Sequence, residues 1–532
     1  MFRVMLFGLG LLGFGFDRMA VGLAPPTHPN LVLLLLDDLQ DEQYLPFWDA
    51  MPDLAPLARK GTWFKNAFGP SPICCPGRVT TLSGLYGHNS GVMTIAKEFG
   101  AERFREGDKL KRTFPVFLQR QGYQNALVGK SWKMAEKKLS STTVDPGWCF
   151  WSEMGGARMY RGEEYFLLTW QRSSSLQLES HSGPGHYSTF VLGEKAESFI
   201  RKGWNPKQGP FFLWLSPTAP HLPLQAPDFD RYGQPSLLRA EALRRWPPET
   251  FPDSLIPNFG IKDPLEQKPS WLRREAPLRE RFLNYPKEEY PRRMGSLLAF
   301  NQAFKDFRRV LESVKYDDKT SAFDHTVFIL TSDNGYNNGA HRLIHKMAPY
   351  EESLRVPLYV FGQGIAEREV EQMVGLMDLA PTFIELGGGA PPQFMDGRSF
   401  APLLDPSRNP NSVAWRNRIV GEYRTGGVAA GEHPEWALRD KSLRRGWQLD
   451  VASYDLLRTE RYSYIEWLAT GERELYDVQN DKWQMHNLLL HPSEENKQLL
   501  RELDGDLQIL KNCSGRLGVK RADGSFAKVP CP

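Results

Sequence analysis

The chain of 532 residues is long enough to bury one large core and carry a second, smaller unit. Its 66 basic and 63 acidic residues leave a net charge of only +3, which excludes nucleic-acid or membrane binding through bulk charge. With neither heptads nor a fixed-period repeat, the chain reads as globular rather than fibrous or disordered.

The opening residues, MFRVMLFGLGLLGFGFDRMAVGLAPP, join a basic Arg3, an apolar stretch from Val4 to Phe16 and small residues toward Ala24. That is the pattern of a secretory signal over residues 1–24, with an N-terminal anchor helix as the alternative. The apolar stretch falls short of the about 20 residues that span a bilayer, so no stable insertion is expected once a signal is removed. The expected location is the secretory route, ending outside the cell, in a periplasm or in a lysosome. In such surroundings Cys513 and Cys531, which bracket the C-terminal tail, can pair to close a small loop, whereas Cys149 has no evident partner.

Four apolar runs have the length and branching of buried strands: NLVLLLLDD from Asn30, NALVGK ending at Lys130, FFLWLSPTAPH ending at His221 and TVFILTSDNG ending at Gly335. Helical patterns separate them, among them TFPVFLQRQGY, VLGEKAESFIRKG and MGSLLAFNQAFKDFRRVLESV. Strands alternating with helices predict an α/β layered domain with a large mixed, mostly parallel sheet, here assigned to residues 28–399. Residues 223–291, rich in Pro and mixed charge, read as a long irregular excursion. DLAPTFIELGG reads as a helix capped by Asp378. Beyond it RYSYIEWLATGERELYDV predicts an antiparallel hairpin around Thr470-Gly471 and SEENKQLLRELDGDLQILKNC a terminal helix. These define a smaller C-terminal α+β subdomain over 400–532.

In parallel sheets ligands sit beyond the carboxyl ends of the strands, and every one of the four runs ends there in polar residues. Asp37, Asp38, Asp333 and Asn334 offer three carboxylates and an amide oxygen, a hard donor set suited to Ca²⁺ or Mg²⁺. Taken singly, such pairs are ordinary turn residues. Lys130, His221, Lys346 and Arg78 add cationic and proton-transfer groups, which around a divalent ion make a pocket for a tetrahedral oxyanion. A helix starting near Pro76 would aim its free N–H groups at the same place.

Cys74-Cys75-Pro76-Gly77-Arg78 fits the C-x-P-x-R signature of the type I sulfatases, in which the first cysteine is oxidised to formylglycine. TSDNGYNNGAHRLIHKMAPYEESLRVPLYVFGQGI resembles their second signature, and LLLLDDLQ, Gly129-Lys130, SPTAPHLP, MDLAPTFIELGG and ELYDVQNDKWQMHNL follow in the family's order. CCPGR, APH and GHNSGV are most similar to the N-acetylglucosamine-6-sulfatase branch. The resemblance implies an alkaline-phosphatase-like fold, one Ca²⁺ bound by Asp37, Asp38, Asp333, Asn334 and modified Cys74, and a hydrated formylglycine as nucleophile. It further implies that Arg78 steadies that nucleophile, that Lys130 and Lys346 grip sulfate oxygens, and that His221 protonates the departing alcohol. His345 is a nearby rival to Lys346. Where many arylsulfatases carry His two residues after the motif lysine, this chain has Trp132, leaving the base for sulfate release open, with His88 a candidate.

The implied partners are a sulfated sugar or polysaccharide and a formylglycine-generating enzyme. N-acetylglucosamine 6-sulfate in a glycosaminoglycan-like chain is the expected substrate, with a broad arylsulfatase as the alternative. Arg244, Arg245, Trp246, Trp271, Arg273, Arg274, Arg292 and Arg293 are candidates to line a glycan path. Two rivals remain at this point: a phosphate or phosphonate ester hydrolase of the same superfamily, and a glycan-binding protein with Cys74 unconverted.

Overall fold

The computed structural model describes residues 25–95, 97–133, 144–172, 174–251, 258–259, 264–279, 284–425, 451–520 and 526–532. The expected signal segment lies outside them. Ten strands form one sheet: β1 (Asn30–Leu36), β2 (Thr62–Phe64), β3 (Gln124–Gly129), β4 (Phe150–Arg158), β5 (Glu164–Gln171), β6 (Gln177–Ser182), β7 (Phe211–Ser216), β8 (Thr326–Ser332), β9 (Leu358–Gly362) and β10 (Arg368–Val370). Their spatial order is β10-β2-β9-β8-β1-β7-β3-β4-β5-β6. The central five, β8, β1, β7, β3 and β4, run parallel, and antiparallel strands flank them on both sides. Each predicted strand is among the central five.

β1 is apolar without alternation because both faces of the sheet are covered. Val32, Leu34 and Leu36 pack with Leu192 and Phe304, from the helices Ser188–Ser198 and Tyr285–Ser313. Leu31, Leu33 and Leu35 belong to the opposite core, with Val79, Leu118 and Phe383 from the helices Cys74–Ser83, Phe114–Arg120 and Leu379–Leu386. Burying a leucine of this kind contributes about 2 kcal/mol. A separate antiparallel sheet follows, with β11 (Arg418–Tyr423), β12 (Tyr454–Thr459), β13 (Tyr462–Trp467) and β14 (Arg473–Asp477), and the helix Glu494–Leu510 packs on it. Ser493 caps that helix, accepting from Asn496 N–H at 3.1 Å. The predicted hairpin is β13–β14, and Cys513 is disulfide-bonded to Cys531.

Two expectations need correction. Residues 223–291 are not irregular throughout: they hold the helix Leu238–Arg245, and the helix expected from Met294 starts at Tyr285. Pro286 sits in its first turn, where a missing N–H costs nothing, and the helix runs through Pro291. Asp378 occupies the N-cap position of Leu379–Leu386, but its side chain makes no cap hydrogen bond to that helix. Its carboxylate accepts from Gly375 and Arg398 N–H and pairs with buried Arg416.

Candidate active site

Register brings the predicted residues together. Leu36 of β1 lies opposite Ser332 of β8, so Asp37-Asp38 and Asp333-Asn334 leave adjacent strand ends. Gly129 of β3 lies opposite Ser216 of β7, and Lys130 N–H extends that pairing to Ser216 O at 2.8 Å. The loop after β7 folds back through Asp37 N–H, which donates to Ala219 O at 3.0 Å, and so carries His221 over the same spot. Cys74 opens its helix, one turn ahead of Arg78. The ligand atoms of Asp37, Asp38, Cys74 and His221 all lie within 4.8 Å of one another.

Each cation has one leading carboxylate partner, and Arg78 Nη2 also lies 3.8 Å from Asp37 Oδ1. Lys130 Nζ donates to Asp37 Oδ2 at 2.6 Å, and Lys346 Nζ to Asp38 Oδ1 at 2.5 Å. Arg78 Nε donates to Asp333 Oδ2 at 2.7 Å. The same guanidinium holds Lys130 O at 2.6 Å and Ser216 Oγ at 2.5 Å, which makes Arg78, fully buried, a brace between three strand ends. Lys346 Nζ also lies 3.0 Å from Cys74 Sγ. His345 instead meets Tyr336 Oη through Nδ1 at 3.1 Å, so geometry puts Lys346 rather than His345 beside Cys74.

Burial alone would raise the carboxyl pKa values. Around Asp38 the Lys346 ammonium leads the charges that overcome it and hold the group down to about 2, and Lys130 is the leading cation that keeps Asp37 low. Burial raises the Cys74 thiol to about 11 and pushes His221 down to about 4. His221 is therefore a neutral imidazole whose Nδ1 donates to Leu222 O at 2.5 Å, with Nε2 3.5 Å from Asp38 Oδ2. An acid role would require it to take up a proton first. Cys75, partly buried and raised to about 12, packs against the core that holds Val79, as a filler would.

Asp37 Oδ1, Asp38 Oδ2 and Asn334 Oδ1 are buried and make no hydrogen bond among the described residues. Leaving three acceptors unsatisfied is costly, and all three are oxygens on one cluster. This donor set fits a calcium ion.

Residues 29–389 match the sulfatase family profile. The chain belongs to the sulfatase family. It is a sulfuric ester hydrolase with the alkaline-phosphatase-like fold, and residues 339–440 match a second family, N-sulphoglucosamine sulphohydrolase, C-terminal. The N-acetylglucosamine-6-sulfatase of Capra hircus is 26% identical, over 92% of this chain and 84% of its own. An arylsulfatase of Chlamydomonas reinhardtii is 27% identical, over 92% and 76%. A protein solved with its substrate D-glucosamine-2-N,6-O-disulfate shares the fold at a TM-score of 0.64 and 20% identity, covering 91% of this chain and 97% of that one.

Within this sulfatase some residues that the sequence singles out fall elsewhere in the molecule. His88 lies against the C-terminal sheet, its Nδ1 2.7 Å from Glu422 Oε1 and its Nε2 3.1 Å from Cys513 O, so both ring nitrogens serve a structural contact. Trp132 is buried and donates to Asp145 at 2.8 Å, away from Cys74. Trp246 and Trp271 are buried in the core, so neither offers a stacking face to a sugar. Arg293 is buried as well and donates to Asp38 O at 2.6 Å. Tyr160 is a site neighbour that the sequence does not announce. Its ring stacks on His221 with centroids 4.1 Å apart, and Lys130 Nζ stands 5.0 Å from the ring centre. Nothing in ARMYRGEEY marks it out, because the contact spans two strand ends that meet only in the folded sheet.

Proposed function

We propose that this sulfatase removes O-sulfate from a sulfated sugar, with N-acetylglucosamine 6-sulfate in a glycosaminoglycan-like chain as the preferred substrate. The observation that carries the reading is Cys74 at its helix mouth, 3.0 Å from Lys346 and ringed by Asp37, Asp38 and His221. Asp37, Asp38, Asp333 and Asn334 would hold Ca²⁺, which supplies Lewis-acid stabilisation of negative charge on oxygen. Cys74, converted to formylglycine by a formylglycine-generating enzyme, would supply the nucleophilic hydroxyl. Lys130 and Lys346 bind and orient the sulfate oxygens, Arg78 holds Asp333 and the Lys130 backbone in register, and His221 addresses the ester oxygen. N-acetylglucosamine-6-sulfatase relatives support the sugar, and arylsulfatase relatives of equal similarity make the aryl ester the alternative that the assay must separate. Passage through the secretory route to an extracellular, periplasmic or lysosomal destination belongs to the same reading, and no described helix is long and apolar enough to cross a membrane.

Intact-peptide mass spectrometry across Ser71–Arg78 tests the nucleophile. Active protein should carry the aldehyde at residue 74, and fully active protein with an unaltered thiol would overturn the reading. Parallel assays on N-acetylglucosamine 6-sulfate, an aryl sulfate and a phosphate monoester test the substrate. The sulfated sugar should be cleaved best, and a strong preference for either other ester would refute that assignment.

A further inference from the structure

Arg293 is a fully enclosed guanidinium, 1% exposed, and among the described residues it makes no ion pair. Its Nη2 donates to the main-chain oxygen of Asp38 at 2.6 Å and its Nη1 to Asn338 Oδ1 at 3.1 Å, while Nε has no hydrogen-bond partner among the described residues. The guanidinium carbon lies 4.4 Å over the ring of Tyr336. The Asp38 and Glu289 carboxylates favour its charge only from beyond ion-pair distance, while its direct hydrogen-bond acceptors are neutral oxygens, an arrangement that is costly to bury and that calls for a compensating role.

The acceptor at Asp38 is itself unusual. Asp38 has a φ of 65°, the left-handed region that L-residues other than asparagine and aspartate rarely enter. Its peptide is held from both sides: its N–H donates to Asp333 Oδ1 at 3.1 Å, and its C=O takes the Arg293 bond. Lys346 and Asn334 donate to one carboxylate oxygen, Oδ1, so the peptide plane decides where Oδ2 points. Asn338 lies in the loop that follows Asp333-Asn334 and donates in turn to Gln40 Oε1, just after Asp38. The two arms of Arg293 thus reach both ligand-bearing loops and fix them to the helix Tyr285–Ser313.

From this placement we infer that Arg293 is a positioning residue for the metal site, locking Asp38 in its left-handed conformation and tying the Asp37-Asp38 loop to the Asp333-Asn334 loop. It rests on the calcium reading above. The planar fork matters: an ammonium reaches one acceptor well, whereas the guanidinium spans two at fixed separation. Groups that orient a metal ligand without touching the ion typically alter affinity 10- to 100-fold when removed.

The test titrates Ca²⁺ into metal-stripped full-length protein by calorimetry, with thermal midpoints recorded in chelator to separate folding from binding. Arg293→Met should weaken calcium about 10-fold or more, Arg293→Lys should restore part of the loss, and Arg292→Met, whose exposed side chain pairs with Glu289, should bind as the parent does. Asn338→Leu removes the second anchor while leaving the buried charge in place. It decides the matter if Arg293→Met fails to fold, with weakening of about 3-fold expected. Folded Arg293→Met or Asn338→Leu protein with parental calcium affinity overturns the inference. A parent that binds no calcium removes the calcium reading itself, and the Arg293 inference falls with it.

Discussion

Gly129→Ala places a methyl group where the sheet has no room for it. Gly129 ends β3 with a φ of 109°, and a Cβ built there would lie 2.1 Å from Ser216 O and 2.7 Å from Ser216 C, both backbone atoms of the neighbouring strand. A carbon approaches a carbonyl oxygen comfortably at about 3.3 Å, so β3 and β7 must part by roughly 1 Å at their functional ends. Overpacking of this kind costs about 1–3 kcal/mol and the forced left-handed alanine about 1–2 kcal/mol more. The displacement falls on Lys130, whose N–H bonds Ser216 O and whose Nζ holds Asp37, and on Arg78, which spans Lys130 O and Ser216 Oγ. A misplacement near 1 Å can cost about 100-fold in rate. The assay is kcat/KM on the sulfated monosaccharide together with denaturant unfolding. Gly505→Ala is the control: exposed on the terminal helix with nothing within 4 Å of an added Cβ, it should gain about 0.5–1 kcal/mol and leave catalysis unchanged. A Gly129→Ala protein within about 2-fold of parental kcat/KM would refute the reasoning.

Tyr160→Leu should lower kcat/KM about 10-fold by releasing the His221 ring and the Lys130 ammonium, with Tyr160→Phe staying within about 3-fold; equal activity of the leucine variant would remove Tyr160 from the site. His88 faces two acceptors, and although burial opposes its charge, Glu422 first and the Cys513 carbonyl after it raise its pKa above the ordinary 6.5. Because the folded pKa is raised, the stabilisation is complete below pH 6.5 and fades as pH climbs through the folded value. His88→Ala should therefore cost about 2 kcal/mol at pH 6 and progressively less as pH climbs through the folded pKa in denaturant titrations, and a penalty that grows with pH would contradict the charged-histidine assignment.

The sheet was readable because its central strands are buried on both faces, which writes them as unbroken apolar runs, and because polar residues at parallel strand ends share one edge. That edge also made Asp37, Asp38, Lys130, His221, Asp333 and Asn334 legible as candidates, whereas Cys74 and Arg78 sit on a helix and Lys346 in a later loop, inside the two signature stretches. Short-range patterns failed where tertiary contacts overrode them. Pro291 reads as a stop, yet the helix passes through it with its buried face on the core. Asp378 stands at the cap position it reads as, yet its carboxylate serves Gly375 N–H and Arg416, nearly forty residues on in sequence, rather than its own helix. Arg293 and Trp246 read as surface because charge and proline surround them in sequence, while in the fold both are buried. Tyr160 was invisible for a different reason: its meaning lies entirely in which two rings and charges it meets.

The pairing of charges has a thermodynamic consequence for the proposed reading. Lys130, Lys346 and Arg78 are matched by Asp37, Asp38 and Asp333, with the buried Arg293 guanidinium close by, so these carboxylates are already neutralised before any ligand arrives. Calcium on the free oxygens Asp37 Oδ1 and Asp38 Oδ2 would draw charge from carboxylates whose other oxygens hold Lys130 and Lys346, and so would weaken both lysine contacts. In the proposed reading this leaves Lys130 and Lys346 to bind the sulfate oxygens. Linkage makes this reciprocal: whatever calcium does for sulfate affinity, sulfate must do for calcium affinity, by a factor of about 5–150 for ordinary coupling. Calcium titrations with and without saturating inorganic sulfate should therefore show tighter calcium binding in its presence, and the gain should shrink in Lys130→Ala. Equal calcium affinity in both titrations would mean that the lysines stay on the aspartates and that sulfate is held some other way.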